Sequence, residues 1–273
     1  MKKLSIVILN HNTSKILKDC LKSLEKARNE LDFDVIVSDN DSSDDSVDMV
    51  KNNFSLVNIL QGPNISFSNG NNRARKYIKT KYVLFLNSDT IVHKNTLKEC
   101  VNYLENHEDV GALTCKLILP DGTLDKDARR KFPTPWISFK RLFLRNSKEY
   151  WYEESDENKT HEVDAIQGAF FLTKKEILDK VGWFDEKYKF DGEDLDLCFQ
   201  IKKVGYKIIY YPEASITHLK KATKNIFEGK LRKLQGVDSM EYFYKKNLWK
   251  NYPFFINYLV LIGIKLMKLI RSI

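Results

Sequence analysis

The sequence predicts an α/β fold: a mostly parallel central sheet with helices on both faces, followed by a basic helical tail. Three observations carry that expectation. Short Val- and Ile-rich apolar runs alternate with helical segments through the first half, polar and acid-rich loops follow those runs, and the excess positive charge is confined to residues 217–273. The runs at 4–9, 35–37, 56–60 and 82–86 are continuously apolar, as strands buried on both faces require. Between them lie helical segments at about 14–28, 46–53, 71–78 and 95–105. In the first, Ile16, Leu17, Cys20, Leu21 and Leu24 form one face. Beyond residue 110 the pattern loosens. Strands are expected at 110–119, 163–172 and 207–211, and helices from 174 and near 195–204. A long connection spans 120–162, with Pro133, Pro135, the trio Arg129-Arg130-Lys131 and the acidic patch 153–157.

Composition bounds the class. The 273 residues are 42% hydrophobic and 30% charged, which is ordinary globular usage and excludes extended disorder and collagen-like chains. No twenty-residue uncharged apolar run is present, so no spanning helix is expected. Lys2 and Lys3 precede an apolar run too short for a signal peptide, and the expected location is cytoplasmic. Residues 217–273 hold twelve basic and three acidic side chains, so the net +8 belongs to the tail and the body is close to neutral. A neutral body without a recognition motif argues against nucleic acid as a partner. Cys20, Cys100, Cys115 and Cys198 are widely spaced, without CxxC pairing, and read as buried thiols of a reducing compartment.

In a sheet of this kind ligands bind in the loops beyond the carboxyl ends of the strands. After the second strand, Asp39 stands too early to cap the next helix, and its carboxylate could accept the imide N–H of uracil or thymine. Asp44 and Asp45 read as caps. After the fourth strand comes Asn87-Ser88-Asp89; a lone carboxylate there is either a cap or a ligand for Mg²⁺ or Mn²⁺, which take one or two carboxylates plus phosphate oxygens. Between these, the small and amide residues 62–72 lead into a helix. They are either a plain loop or a cradle offering backbone N–H groups, with Arg73, to a diphosphate. Asp191, Glu193, Asp194 and Asp196 place four carboxylates in six positions. A negative first helical turn explains one or two of them; a general base toward a hydroxyl would use another. His218 follows the last strand, where an imidazole is either structural or completes a divalent site.

Taken in order, SIVILNHN, VIVSDNDSSDDS, NISFSNGNNRA, LFLNSDT, AIQGAFFLTKK, VGWFDEKYKFDGEDLDLCFQIKKVGY and ASITHLKKAT cover about residues 4–225. They resemble family-2 glycosyltransferases, especially the rhamnosyltransferase-like branch. The resemblance implies a Rossmann-like GT-A fold over 1–220, with a nucleotide-sugar-binding half (1–118) and an acceptor and catalytic half (119–220), followed by the tail at 221–273. It implies base and ribose contacts from Asp39 and Asn40. Further donor contacts would come from Asn10, Asn12, Gly70, Asn72, Arg73, Asn87, Ser88, Gly168 and Ala169. Asp89 matches the last residue of the DXD-type motif, and Asn87 replaces its first acid, which leaves His218 as the second metal ligand. Glu193-Asp194 matches the ED motif, with Asp194 as the base. His11 stands where Tyr is common, and Gln200 where Arg often follows the ED helix.

The expected activity is metal-dependent, inverting transfer from a nucleoside-diphosphate sugar (dTDP-rhamnose or a UDP-hexose) to a saccharide or lipid-linked saccharide in cell-envelope polysaccharide synthesis. The rival is a catalytically silent sugar-nucleotide or glycan-binding module. The apolar run 254–264 and its flanking lysines fit a helix lying on an anionic membrane surface, or alternatively a helix packed on the body or a dimer contact.

Overall fold

The computed structural model of the chain describes residues 2–189, 191–220 and 230–272. In chain order, β1 (Leu4–Asn10), α1 (Ser14–Ala27), β2 (Phe33–Asn40), α2 (Ser46–Asn53), β3 (Val57–Gly62), α3 (Phe67–Asn72) and β4 (Tyr82–Asn87) form a doubly wound unit. Then follow β5 (Thr90–Val92), α4 (Thr96–Asn106), β6 (Val110–Ile118), β7 (Arg129–Arg130), α5 (Pro135–Leu142), β8 (His161–Glu162), β9 (Ala165–Ile166) and β10 (Phe170–Lys174). The remaining elements are α6 (Lys175–Val181), α7 (Glu193–Lys203), β11 (Lys207–His218), α8 (Lys230–Phe243) and α9 (Phe254–Ser272). Phe190 in the acidic loop, and Lys221, Lys224 and Glu228 in the basic tail, lie outside the described residues.

One sheet runs in the order β3-β2-β1-β4-β10-β6-β11-β5, with β8 added beside β11. The pairs among β3, β2, β1 and β4 are parallel, as is β6 with β11. β10 runs antiparallel to both β4 and β6, and β5 antiparallel to β11. The apolar runs fill these strands because both faces are covered: Ile6, Val7, Ile8, Leu84, Phe85, Phe170 and Phe171 are all fully buried. Phe85, Phe171, Phe184 and Trp183 close one face with edge-to-face rings 4.7–6.4 Å apart. All four cysteines are buried thiols, and burial pushes Cys20 up to about 12, so it is unreactive at neutral pH.

Three elements depart from the sequence expectation. The helix expected at 71–78 starts at Phe67, because the Ser66 hydroxyl caps it by accepting the Asn69 N–H at 3.1 Å. The strand expected at 163–172 splits into β9 and β10 at Gln167-Gly168-Ala169, where the Gly168 N–H turns toward Asp194. The last strand, expected to stop before Pro212, continues to His218 through an irregularity in its register between Tyr211 and Ser215. The long connection also holds a helix, α5. Thr134 caps it and Pro135 opens it, a start signal present in the sequence.

The tail packs on the body. Phe132 and Phe199 meet Phe243, Tyr188 meets Tyr242, and Val260 joins the same cluster. No helix among the described residues is long and apolar enough to cross a membrane. On the other side of the molecule α3 approaches β1 and β2 so closely that a Cβ at Gly70 would collide with the Leu9 side chain and sit 2.7 Å from Asn40 Oδ1. Gly70→Ala is therefore expected to cost about 1–3 kcal/mol of stability through overpacking. Thermal denaturation checks this: a fall in Tm of several degrees is the expected outcome, and an unchanged Tm contradicts the packing.

Candidate active site

The carboxyl ends of β1, β2 and β4 place three loops side by side, and the first two are stitched together. Asp39 Oδ2 accepts from Asn10 Nδ2 at 2.8 Å and from the Ser42 hydroxyl at 2.6 Å, while Oδ1 accepts the Ser42 N–H at 2.9 Å. These three bonds leave acceptor capacity on a carboxylate that offers about four lone-pair sites. Asn12, in left-handed backbone with φ 53°, accepts the N–H groups of Ser43 and Asp44, and His11 Nδ1 lies 2.6 Å from the Asn40 carbonyl. Asp44 caps both neighbouring helices, accepting from the Ser14 and Ser46 N–H groups at 3.0 Å. Asp45, the other expected cap, makes no side-chain cap bond.

Arg73 and Asn72 sit differently from the sequence expectation. The Arg73 guanidinium donates to the Ser38 hydroxyl, the Asp39 carbonyl, Asn40 Oδ1 and the Pro63 carbonyl at 2.8–3.1 Å. It is consumed in holding the Asp39-Asn40 loop rather than turned outward to a diphosphate, and a Cβ at Gly62 would strike it. Asn72 bonds to Phe184 and Glu186 and lines a separate polar cavity of about 480 Å³ with Arg75, Trp183, Asp196 and Lys246. None of Asp39, Asp89, Asp194 or His218 lines that cavity.

The third loop meets the end of β11. Pairing of His218 with Thr90 across β5, and a Leu219 N–H bond to the Asp89 carbonyl at 2.8 Å, bring the imidazole beside the carboxylate. Asp89 Oδ1 lies 3.4 Å from His218 Nε2, and His218 Nδ1 lies 2.8 Å from Asp125 Oδ2, with all three side chains buried. Asp125 in turn holds Lys220 at 2.8 Å. Burial opposes a charged His218, but hydrogen bonds to Asp125 and Asp89 outweigh it and push its pKa up to about 9. Burial likewise opposes an ionised Asp125, yet the bonds from His218 and Lys220 hold it below the ordinary carboxylate value.

Asp89 and His218 offer two donors to a divalent ion. One carboxylate oxygen and one imidazole nitrogen face each other, and the ring is anchored through its other nitrogen by a second carboxylate, as metal-bound histidines usually are. Coordination through Nε2 requires loss of the proton now shared with Asp89. Among the described residues no group of three or more His, Cys, Asp or Glu side chains is arranged to hold an ion, and Asp125 lies at the opposite edge of the ring. The remaining positions are left for ligand oxygens and water.

The acidic turn is resolved by dividing its members. Asp194 Oδ2 pairs with Arg130 Nη2 at 2.6 Å and accepts the Gly168 N–H at 3.3 Å, and Oδ1 accepts the Leu195 N–H at 2.7 Å. Asp196 faces the other way, to Lys246 and Asn247 at 2.7 Å, with Gln200 bonded to the same Asn247. Glu193 has no such cation of its own among the described residues. Burial, then the charges of Asp194 and Asp191, raise its carboxyl well above the usual range. Gly168 and Ala169 link Asp194 to the loop after β4 directly, since the Asn87 N–H donates to the Ala169 carbonyl at 3.2 Å. Cys20 reaches the Asn87 carbonyl, and the Ser88 hydroxyl accepts from Thr13 at 3.2 Å.

Three residues of this rim escaped the sequence reading. Asp125 carries no motif, and Arg130 was visible only as part of a basic trio. Gln167 lies inside a matched segment, and its Oε1 is buried without a hydrogen-bond partner among the described residues. The state of Glu193 makes a prediction about pH. Its raised folded pKa keeps a proton that the unfolded chain, titrating near the ordinary value of about 4.3, releases. The contribution to stability is full below that value and is lost as pH rises toward the folded pKa. Glu193→Gln mimics the protonated form, so its Tm relative to the unsubstituted chain should climb between pH 5 and pH 8 (roughly the window above the unfolded value); a constant difference contradicts a protonated Glu193.

With this geometry in place, comparison with known proteins is informative. The sequence profile of the glycosyltransferase-like family 2 matches residues 2–235. Rhamnosyltransferase WbbL of Escherichia coli K12 is 25% identical over 256 residues, covering 91% of this chain and 96% of that protein. The N-acetylglucosaminyl-diphospho-decaprenol L-rhamnosyltransferase of Mycobacterium tuberculosis is 23% identical, covering 80% and 76%. Among solved structures, the mannosyltransferase PcManGT of Pyrobaculum calidifontis, in complex with GDP-Man and Mn²⁺, superposes with a TM-score of 0.63 at 16% identity. That match covers 89% of this chain and 63% of that one, and it speaks to the fold. The profile spans most of the chain and the sheet carries the GT-A arrangement: this chain belongs to the glycosyltransferase-like family 2.

Proposed function

We propose that the chain is a metal-dependent, inverting glycosyltransferase that moves a sugar from a nucleoside-diphosphate donor to a hydroxyl of a saccharide or lipid-linked saccharide. The observation that carries this reading is the gathering of Asp39, Asp89 with His218, and Asp194 at one end of the sheet, joined through Gly168-Ala169. Asp39, held by Asn10 and Ser42, would receive the imide edge of a thymine or uracil base. Asn40 supports it from the same loop. Asp89 and His218 would hold Mg²⁺ or Mn²⁺, the imidazole favouring the softer Mn²⁺. When bound there, the ion supplies neutralisation of the charge that develops on the departing diphosphate. Asp194 takes the proton of the acceptor hydroxyl as its oxygen attacks the anomeric carbon from the side opposite the leaving group. One displacement with inversion results. Arg130 and the Gly168 N–H fix the direction of the base, and Gln167 Oε1 offers an acceptor to a sugar hydroxyl.

Two relatives named as rhamnosyltransferases support dTDP-rhamnose ahead of a UDP-hexose. The name of the second, which includes a diphospho-decaprenol acceptor, supports a lipid-linked saccharide and a place in cell-envelope polysaccharide synthesis.

The base assignment can be separated from folding. Asp194→Asn leaves Arg130 buried without its counter-charge, a loss of about 3–5 kcal/mol. The double variant Arg130→Gln with Asp194→Asn removes both charges and should recover much of that stability. Transfer of sugar should remain at least about 10²-fold below the unsubstituted chain in both variants, with nucleotide binding retained in the double one. A stable double variant that transfers sugar at the unsubstituted rate would remove Asp194 from the mechanism.

A further inference from the structure

The sequence points only to the tail as a surface-seeking element, but the structure sets a second helix beside it. Trp136 and Phe139 in α5 and Phe143 just after it recur at helical spacing with stacked rings, 5.8 Å and 5.5 Å between successive centroids, and all three are exposed. In α9, Asn257, Val260 and Ile264 face the body, while Leu259, Ile262 and Leu266 form an exposed stripe on the opposite side. Phe143, the residue that follows α5, meets α9: a Cβ at Gly263 would lie 3.9 Å from its ring. An apolar surface of this extent is too large to be the chance exposure of single side chains.

The charge pattern says what covers it. Residues 135–148 contain Lys140, Arg141, Arg145 and Lys148, and residues 242–273 contain Lys245, Lys246, Lys250, Lys265, Lys268 and Arg271; neither stretch contains a single Asp or Glu, in a chain that has 37. Lys140, Lys245, Lys246 and Lys268 are paired with Glu149, Glu241, Asp196 and Asp238, while Arg145, Lys148, Lys250 and Lys265 make no ion pair among the described residues. Aromatic and aliphatic side chains flanked by these remaining cations match the interface of an anionic bilayer, where rings sit at headgroup depth and lysines reach phosphates. A second copy of the same face would instead bring cations against cations.

We propose that α5 and α9 together form one in-plane docking surface for an anionic lipid membrane. The segment that leads into α5 also carries Arg130, which holds Asp194, so docking would set the catalytic rim close to the membrane plane. The inference stands apart from the transfer chemistry, because vesicle binding is read without turnover.

The test uses the full chain in co-sedimentation with vesicles of phosphatidylcholine alone and of phosphatidylcholine with phosphatidylglycerol. Two variants accompany it, Phe139→Ser/Phe143→Ser on α5 and Leu259→Ser/Leu266→Ser on α9, each checked for an unchanged Tm. The chain should bind the anionic vesicles and lose affinity with added salt, and each variant should bind roughly tenfold or more weakly. Equal binding to both vesicle types removes the anionic partner. Loss in the α9 variant alone overturns the paired surface in favour of the tail by itself. Absence of vesicle binding, with a dimer in sedimentation velocity that the variants dissociate, assigns the face to a second copy.

Discussion

The antiparallel course of β10 between β4 and β6 is the constraint on which the site depends. A strand entering in the opposite direction begins where its neighbour ends, so Gly168-Ala169 lie beside Asn87 at the carboxyl edge of the sheet. A parallel β10 would place the same residues at the far edge. From that start the Gly168 N–H reaches Asp194, and this carboxylate on α7 becomes attached to the loop that carries Asp89. β11 performs the matching operation from the other side: its parallel run beside β6 and its antiparallel contact with β5 deliver His218 to Asp89. Two strand directions thus join residues separated by more than a hundred positions.

Electrostatics sets the second requirement. Four acids within six positions of α7 and its approach are tolerable only if their charges are dispersed, and three of them are treated differently. Asp194 is paired with a buried arginine, Asp196 with Lys246 from the tail, and burial with the neighbouring charges raises the Glu193 carboxyl. A buried ion pair contributes little net stability, since desolvation offsets the attraction. What Arg130 contributes is direction, fixing one carboxylate oxygen toward the Gly168 turn. The Asp196–Lys246 bond has a second consequence, because it anchors the segment between α8 and α9 to α7.

Much of the fold was legible in the sequence, because strands covered on both faces must be continuously apolar and their end loops must be polar. The carboxylates of the rim were legible too: Asp39 and Asp89 close continuously apolar strands, and Asp194 stands in a cluster of four acids that a helix N-terminus alone does not explain. What could not be read were partners supplied by long-range pairing. Asp125 stands behind His218 only because β6 leads into the turn next to the end of β11, and nothing local marks it. The direction of Arg73 could not be read, because its motif position announces a cation but not where it points; it lies against Gly62 and turns inward under the Asp39-Asn40 loop. The α5 helix was hidden by its prolines, although Thr134-Pro135 is a start signal rather than a break. Strand ends were set by tertiary pairing as well, with β11 running past Pro212 because β5 and β6 offered partners beyond it.

The central claim is that these residues form a metal-assisted site for a pyrimidine nucleoside diphosphate. Thermal denaturation with dTDP, UDP and GDP, each with and without Mn²⁺, on the unsubstituted chain and on Asp89→Asn, tests it most directly. A ligand present at about a hundred times its dissociation constant adds roughly 2.7 kcal/mol of stability, enough to raise Tm measurably. The account predicts a Mn²⁺-dependent rise with dTDP or UDP, absent with GDP and lost in Asp89→Asn. A chain whose Tm is unmoved by every nucleotide, or moved equally with Asp89 replaced, would contradict it.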